Sequence, residues 1–320
     1  MRRPFLAFWI AAVAAGAVAS CGSRTGLFGE GGPSGSATTS PTSSPTSTTT
    51  SSPGDAGPPL PDAIPPIDVM PMPDVDRRDC PDADATFIYV VSDDNELFSF
   101  YPPTLAFTLI GRLVCPAGGA TPFSMAVDRK GVAYVLFTDG KLYRVSTLTA
   151  ACIATPYVAN QLGWQNFGMG FASDTTGPAE KLYVANNNGA ANSALGVIDT
   201  NTFKLTQVAG FAPEIPRAEL TGTGDGRLFA YWPLTGMGLG SRVAEIDKQT
   251  AKVTGISALP IGSNADAFAF AFWGGDFWIF SGRGGTNVSK FSPSDNQTST
   301  PTTHPSTIVG AGVSTCAPQE

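Results

Sequence analysis

The residue types that usually carry acid–base or metal chemistry are few in this chain and widely scattered. Its single histidine, His304, lies in the polar run Thr302-Thr-His-Pro-Ser306 and reads as a surface residue. One histidine cannot build a multi-histidine metal site, and no motif around it suggests a Ser-His-Asp arrangement. Two acids stand out by position: Glu219 sits inside the short run Ala218 to Thr223, and Asp266 opens the run Ala267 to Phe272. Glycoside hydrolysis needs two carboxylates, so this pair could supply a general acid and base acting on a polysaccharide. No flanking motif specifies that chemistry, and a structural or pore-lining role is the plainer reading. Asp128, Asp174, Asp225 and Asp276 each stand near glycine, as in Asp128-Arg-Lys-Gly131. They read as turn formers, with calcium ligation as the alternative.

Repeated strands must position these side chains. An apolar strand with an aromatic near its centre recurs as Phe87-Ile-Tyr-Val-Val91, Val132-Ala-Tyr-Val-Leu136, Lys181-Leu-Tyr-Val-Ala185, Arg227-Leu-Phe-Ala-Tyr231 and Asp276-Phe-Trp-Ile-Phe280. The aromatic centres at 89, 134, 183, 229 and 278 are 45 to 49 residues apart, the length of a four-stranded propeller blade. Each unit continues through a polar hairpin into another strand, ending at Phe100, Val145, Ile198, Ile246 or Phe291. Turns such as Asp199-Thr-Asn-Thr202 and Asp247-Lys-Gln-Thr250 follow, whose side chains bond their own backbone.

A preceding strand is visible before units two to five, at residues 123–127, 167–172, 218–223 and 267–272, but not before unit one. The run Ile308 to Val313 is left over at the other end. Lending it to the first unit would close a ring and remove open sheet edges. The expected fold is therefore all-β, a β-propeller of five four-stranded blades closed by a C-terminal strand. An open arc, or a six-bladed ring with one degenerate blade, is the alternative. Residues 85 to 316 resemble bacterial repeat propellers with short Tyr-Val strands and Asp-x-x-Thr turns. That resemblance is architectural and carries no activity across.

Propeller geometry gathers the long polar inserts of units three to five, 186–193 with Asn187, 233–241 just after Trp232, and 282–286 with Arg283, on one end of the ring. The connections between blades open on the same end, and the longest contains Tyr157, Asn160, Trp164, Gln165 and Asn166. Aromatic and amide side chains around a concave mouth suit a sugar or peptide, so Trp164, Asn166, Asn187, Trp232 and Arg283 form the candidate ligand face. Core and turn roles are the plain alternative for each.

Cys80, Cys115, Cys152 and Cys316 fall in the repeat region, and their wide spacings lack the paired Cys-x-x-Cys of a zinc site. In an exported protein such a set is usually oxidised. Three pairings are possible. Closure by the C-terminal strand would bring Cys316 to where Cys80 enters, which favours Cys80 with Cys316 and leaves Cys115 with Cys152.

The N-terminus supplies the reason to expect export. Arg2 and Arg3 precede about thirteen mostly apolar residues from Phe5 to Ala17, then the small residues Val18-Ala19-Ser20 before Cys21. As a helix that apolar run is only about 20 Å long, short of the roughly 30 Å hydrocarbon core, so an uncleaved span is the poorer reading. Val18-Ala19-Ser20-Cys21 resembles the lipobox of bacterial lipoproteins, which implies a signal peptide over residues 1–20 and an acylated Cys21. Several acyl chains anchor far more firmly than one. Gly22 stands where an aspartate would resemble an inner-membrane retention signal, so the resemblance implies the outer membrane; an ordinary secretory signal is the rival. Residues 21–79 are rich in Ser, Thr, Pro and Gly, cannot bury enough apolar surface to offset ordering entropy, and read as a linker to a domain over 80–320.

Charge narrows the partners. Signal removal deletes two of 19 bases and none of 26 acids, shifting the net charge from −7 to −9, so a nucleic-acid partner is not expected. No cofactor is expected either. The expectation is a monomeric, envelope-anchored binding or scaffolding module for a glycan, a peptide or an envelope protein. A carboxylate-dependent polysaccharide enzyme and a purely structural envelope protein are the alternatives.

Overall fold

The computed structural model describes residues 86–174, 179–186, 193–236, 239–262 and 265–320. Cys21, Cys80 and Asn187 lie outside the described residues. Within them the chain is all-β apart from one 3-10 turn, Gln161–Gly163. Blade one comprises β1 (Ile88–Ser92), β2 (Glu96–Tyr101) and β3 (Ala106–Arg112), completed by β20 (Ile308–Val313). Blade two is β4 (Pro122–Val127), β5 (Val132–Phe137), β6 (Leu142–Ser146) and β7 (Cys152–Ala154). Blade three is β8 (Phe167–Ser173), β9 (Glu180–Asn186), β10 (Ala194–Ile198) and β11 (Leu205–Gly210). Blade four is β12 (Glu219–Gly222), β13 (Leu228–Pro233), β14 (Ser241–Ile246) and β15 (Val253–Leu259). Blade five is β16 (Ala267–Trp273), β17 (Asp276–Gly282), β18 (Thr286–Ser292) and β19 (Gln297–His304).

The ring closes as the leftover strand implied: β20 pairs antiparallel with β1, setting Ile88 opposite Val313 and Val90 opposite Ala311. The inner strands β20, β4, β8, β12 and β16 neighbour one another around the axis, which makes a five-bladed propeller.

The period of the aromatic residues follows from how blades stack. Side chains alternate across a strand, and in a blade both faces meet protein. Ile88 and Val90 enter the core shared with blade five, while Tyr89 and Val91 enter the core shared with blade two. Tyr134 likewise meets Phe171 of blade three at 5.3 Å between ring centroids, and Phe229 stacks on Phe272 of blade five. Blades splay as they radiate, so one large ring per middle strand fills the widening gap between neighbours. Five such inter-blade cores hold the ring.

The turns before the outer strands are also shared. Leu105, Ala150, Phe203, Ala251 and Asn296 occupy one equivalent position, and each has a φ between 56° and 58°. The left-handed conformation costs a non-glycine residue about 1 kcal/mol. Asp199 and Asp247 offset it locally, each carboxylate accepting two backbone N–H bonds at 2.7 to 3.0 Å. These bonds hold the Asp199 carboxyl below its ordinary value, and for Asp247 the Thr250 hydroxyl bond leads with the two amides following.

The Cys115–Cys152 disulfide forms, tying the connection into blade two to its outermost strand, with Cα atoms 5.2 Å apart. β7 is only three residues long, so the bond secures the shortest outer edge of the ring. Cys316 is also disulfide-bonded.

Candidate functional site

The axis is narrow because small residues let the inner strands touch. A methyl at Gly168 would strike the backbone of Ala218, and one at Gly310 would lie 2.7 Å from the Met125 nitrogen. At the end where the inner strands begin, two side chains of blade four cross the axis. Ser124 of blade two donates to Glu219 Oε2 at 2.7 Å, linking blades that are not neighbours. Two residues earlier, Arg217 sets its guanidinium over the ring of Phe123 in blade two at 5.1 Å and over Phe268 in blade five at 4.3 Å. A residue before β12 can reach both only by lying over the mouth.

This cluster is incompletely satisfied. Glu219 is 2% exposed, and burial pushes its carboxyl up to about 8 against the pull of Ser124, Arg217 and the Met169 amide. The Met169 amide faces the carboxylate without a well-formed bond, and Oε1 has no hydrogen-bond partner. Arg217 Nε is also buried without a partner, and Arg217 and Glu219 form no ion pair. Burial draws the Arg217 pKa down while the Glu219 charge opposes that shift. Asn166 stands immediately before β8, the strand abutting β12, and its Oδ1 is a third buried polar atom without a partner. Buried polar groups are normally paired, and here three orphaned ones gather at the start of two touching strands.

The opposite end of the axis is covered by the C-terminal tail. Thr315 is 3% exposed and donates to Glu180 Oε2 of blade three at 2.9 Å. The Arg129 amide of blade two donates to Glu180 Oε1 at 2.8 Å, and its guanidinium reaches Thr315 at 3.4 Å. In blade five Gly274 N–H donates to the Pro318 carbonyl at 2.8 Å, and in blade four the backbone of Gly224 abuts Thr315. Burial under this cover pushes the Glu180 carboxyl up to about 7. Beside it, Asp128, Tyr134, Arg144 and Glu180 line a groove of about 370 Å³ between blades two and three. Both acids there already hold backbone: Asp128 accepts from the Lys130 and Val132 amides, as a turn former does.

The residues expected from the sequence divide. Trp164 and Trp232 do not face the mouth: they are 3% and 5% exposed, in the cores between blades two and three and between three and four. Each indole satisfies the same demand for inter-blade volume as the mid-strand aromatics. Arg283 is exposed at the expected end but makes a two-point ion pair with Asp266, at 2.7 and 2.8 Å. Both Asp266 oxygens are thereby engaged, whereas Glu219 is buried, so the two acids have different environments. His304 is not a surface residue. It ends β19, is 9% exposed, and packs 4.7 Å from Phe98 and 4.5 Å from Phe107 of blade one, which lowers its pKa through burial.

Asp174 pairs with Lys181 at 3.0 Å, Asp276 with Lys290 at 2.9 Å, and Asp225 bonds Thr223. Among the described residues no group of three or more His, Cys, Asp or Glu could hold a metal ion. No helix there is long and apolar enough to cross a membrane. Sequence reading did not single out Arg217. An arginine two residues before an acid that opens an inner strand was the available signal.

No family model matches the chain, and no curated protein matches it. Among solved structures, Kuenenia stuttgartiensis hydrazine synthase is similar over 66% of this chain and 64% of that one, at 14% identity and a TM-score of 0.39. The chain thus matches less than two-thirds of that protein's length, and nothing of its chemistry is carried over.

Proposed function

We propose that the chain is a lipid-anchored protein of the bacterial envelope, outer membrane favoured, whose propeller binds a polar ligand, glycan or peptide, at the end of the ring where the inner strands begin. The lipobox-like Val18-Ala19-Ser20-Cys21 and the Ser/Thr/Pro-rich segment behind it support the anchor and the tether. The observation that carries the binding reading is the contrast between the two ends. One is sealed by Ser314 to Glu320, while the other gathers Arg217, Glu219 and Asn166 with buried polar atoms left unpaired.

Full-length protein in detergent, screened against glycans and peptidoglycan fragments, should bind at least one with chemical-shift or exchange changes around residues 164–168, 217–219 and 266–268. Mass spectrometry of the supernatant separates binding from turnover. A cleaved product would replace this reading with an enzyme, and perturbation confined to the tail end would place the ligand elsewhere. Incorporation of a labelled fatty acid, lost in Cys21→Ala, is expected for the anchor.

A further inference from the structure

We infer that the ligand at this mouth carries a carboxylate, held by the guanidinium of Arg217, with a hydroxyl or N–H donor beside it that bonds Asn166 Oδ1. The inference rests on the binding reading above and names the ligand class for the same site. Among the described residues the Arg217 guanidinium has no ion-pair partner. Arg217 is partly buried, makes no ion pair with Glu219, and has an unpartnered Nε. Among the described residues, the ring faces of Phe123 and Phe268 lie against it. Ring faces attract a cation, worth up to about 2 kcal/mol when desolvated, but accept no conventional hydrogen bond. The buried Nε therefore remains without an acceptor, and a desolvated donor without one is costly.

Glu219 does not supply those acceptors, since its Oε2 is taken by Ser124 across the axis. Burial also favours its neutral form at pH 7, so the mouth bears an uncompensated positive charge although the protein as a whole is acidic. A planar anion fits a planar fork of donors better than a point charge does, which favours a carboxylate. The neighbouring orphans then specify what lies beside it. The neutral Glu219 can donate from Oε1 to that anion, and Asn166 Oδ1 can accept, so the same ligand should present a hydroxyl or amide N–H next to its carboxylate. Sugar acids and acyl amino acids have that arrangement. Neutral sugars offer the donors without the anion.

The test uses matched pairs by calorimetry on full-length protein: D-glucuronate against D-glucose, N-acetylmuramate against N-acetylglucosamine, and N-acetyl-D-alanine against its amide. At least one acid should bind roughly 10- to 100-fold more tightly than its neutral partner, the factor expected for charge-assisted hydrogen bonds. Arg217→Gln should abolish that preference, and Arg217→Lys should restore only part of it. Should Arg217→Gln not fold, phenylglyoxal labelling of Arg217 in the wild-type protein reads the same contact, and the preferred acid should protect it. Binding to the mouth with no preference for the acid in any pair, or an acid that leaves labelling unchanged, overturns the inference and leaves the binding reading standing. No perturbation of the mouth by any glycan or peptide overturns the binding reading as well.

Discussion

Glu219 is held where ionisation is expensive, and its consequence for stability has a definite sign. Its carboxyl rises from an ordinary 4.5 to about 8 on folding. Between those values the folded state binds more protons than the unfolded state, so stability is greatest below about pH 4.5 and falls as pH rises through 8, at up to about 1.4 kcal/mol per pH unit for one such group. Glu180, raised to about 7, acts in the same direction over a narrower window. Wild-type protein should therefore melt at a lower temperature at pH 8.5 than at pH 5.5. Glu219→Gln keeps the shape and removes the titration, so its melting curve should match wild type near pH 4 and exceed it increasingly up to pH 8.5. Equal pH slopes for the two proteins, measured by scanning calorimetry, would contradict this account. At this scale the sequence was partly legible. An acid inside a small-residue inner strand is conspicuous, whereas Arg217 acquires its meaning only from Phe123 and Phe268, which lie about 94 and 51 residues away in the chain and meet it only once the ring has closed.

The strands were more legible than the site, because geometry leaves them little choice. An inter-blade gap that recurs five times calls for the same ring at the same place, so Tyr89, Tyr134, Tyr183, Phe229 and Trp278 mark the blades by their spacing along the chain. The same demand explains where composition misled. Trp164 sits among amides in a long connection and looks like a ligand contact, yet it caps a core and packs against Gly196. His304 looks polar by its neighbours, but β19 ends by turning its ring onto blade one. Close approach of inner strands gives a sharp test. Gly168→Ala places a methyl against the Ala218 backbone and should destabilise by roughly 1–3 kcal/mol, as overpacking does. Gly210→Ala, where the nearest atom is 3.8 Å away, should cost less, and denaturant midpoints would compare them. The Cys115–Cys152 bond closes a separation of 37 residues. Chain-entropy estimates give about 4 kcal/mol for a loop of that size, so the double alanine variant should show a markedly lower denaturant midpoint.

The whole ring depends on its last thirteen residues twice over. Ile308–Val313 supplies the inner strand of blade one, and Ser314 to Glu320 then crosses beneath the first hairpins of the other four blades. A closed propeller has no gap in its ring, but its two axial ends remain distinct, and the tail makes one of them solid. The binding proposal rests on that asymmetry, which can be probed without touching the mouth. Thr315 donates to Glu180, whose burial raises its carboxyl to about 7, so the bond is charge-assisted only above that pH. Thr315→Val keeps the shape and removes the donor. Above pH 7 the variant loses a bond to a charged acceptor, about 1.5–3 kcal/mol, whereas near pH 5 it loses a neutral one, about 0.5–1.5 kcal/mol. At roughly 2–4 °C per kcal/mol for a domain of this size, the fall in melting temperature should be larger at pH 8 than at pH 5. Ligand binding at the mouth should be unaltered in the folded variant, because the tail and Arg217 act at opposite ends of the axis. A melting deficit independent of pH would mean that Glu180 does not hold the tail, and a loss of ligand binding would mean that the sealed end contributes to recognition.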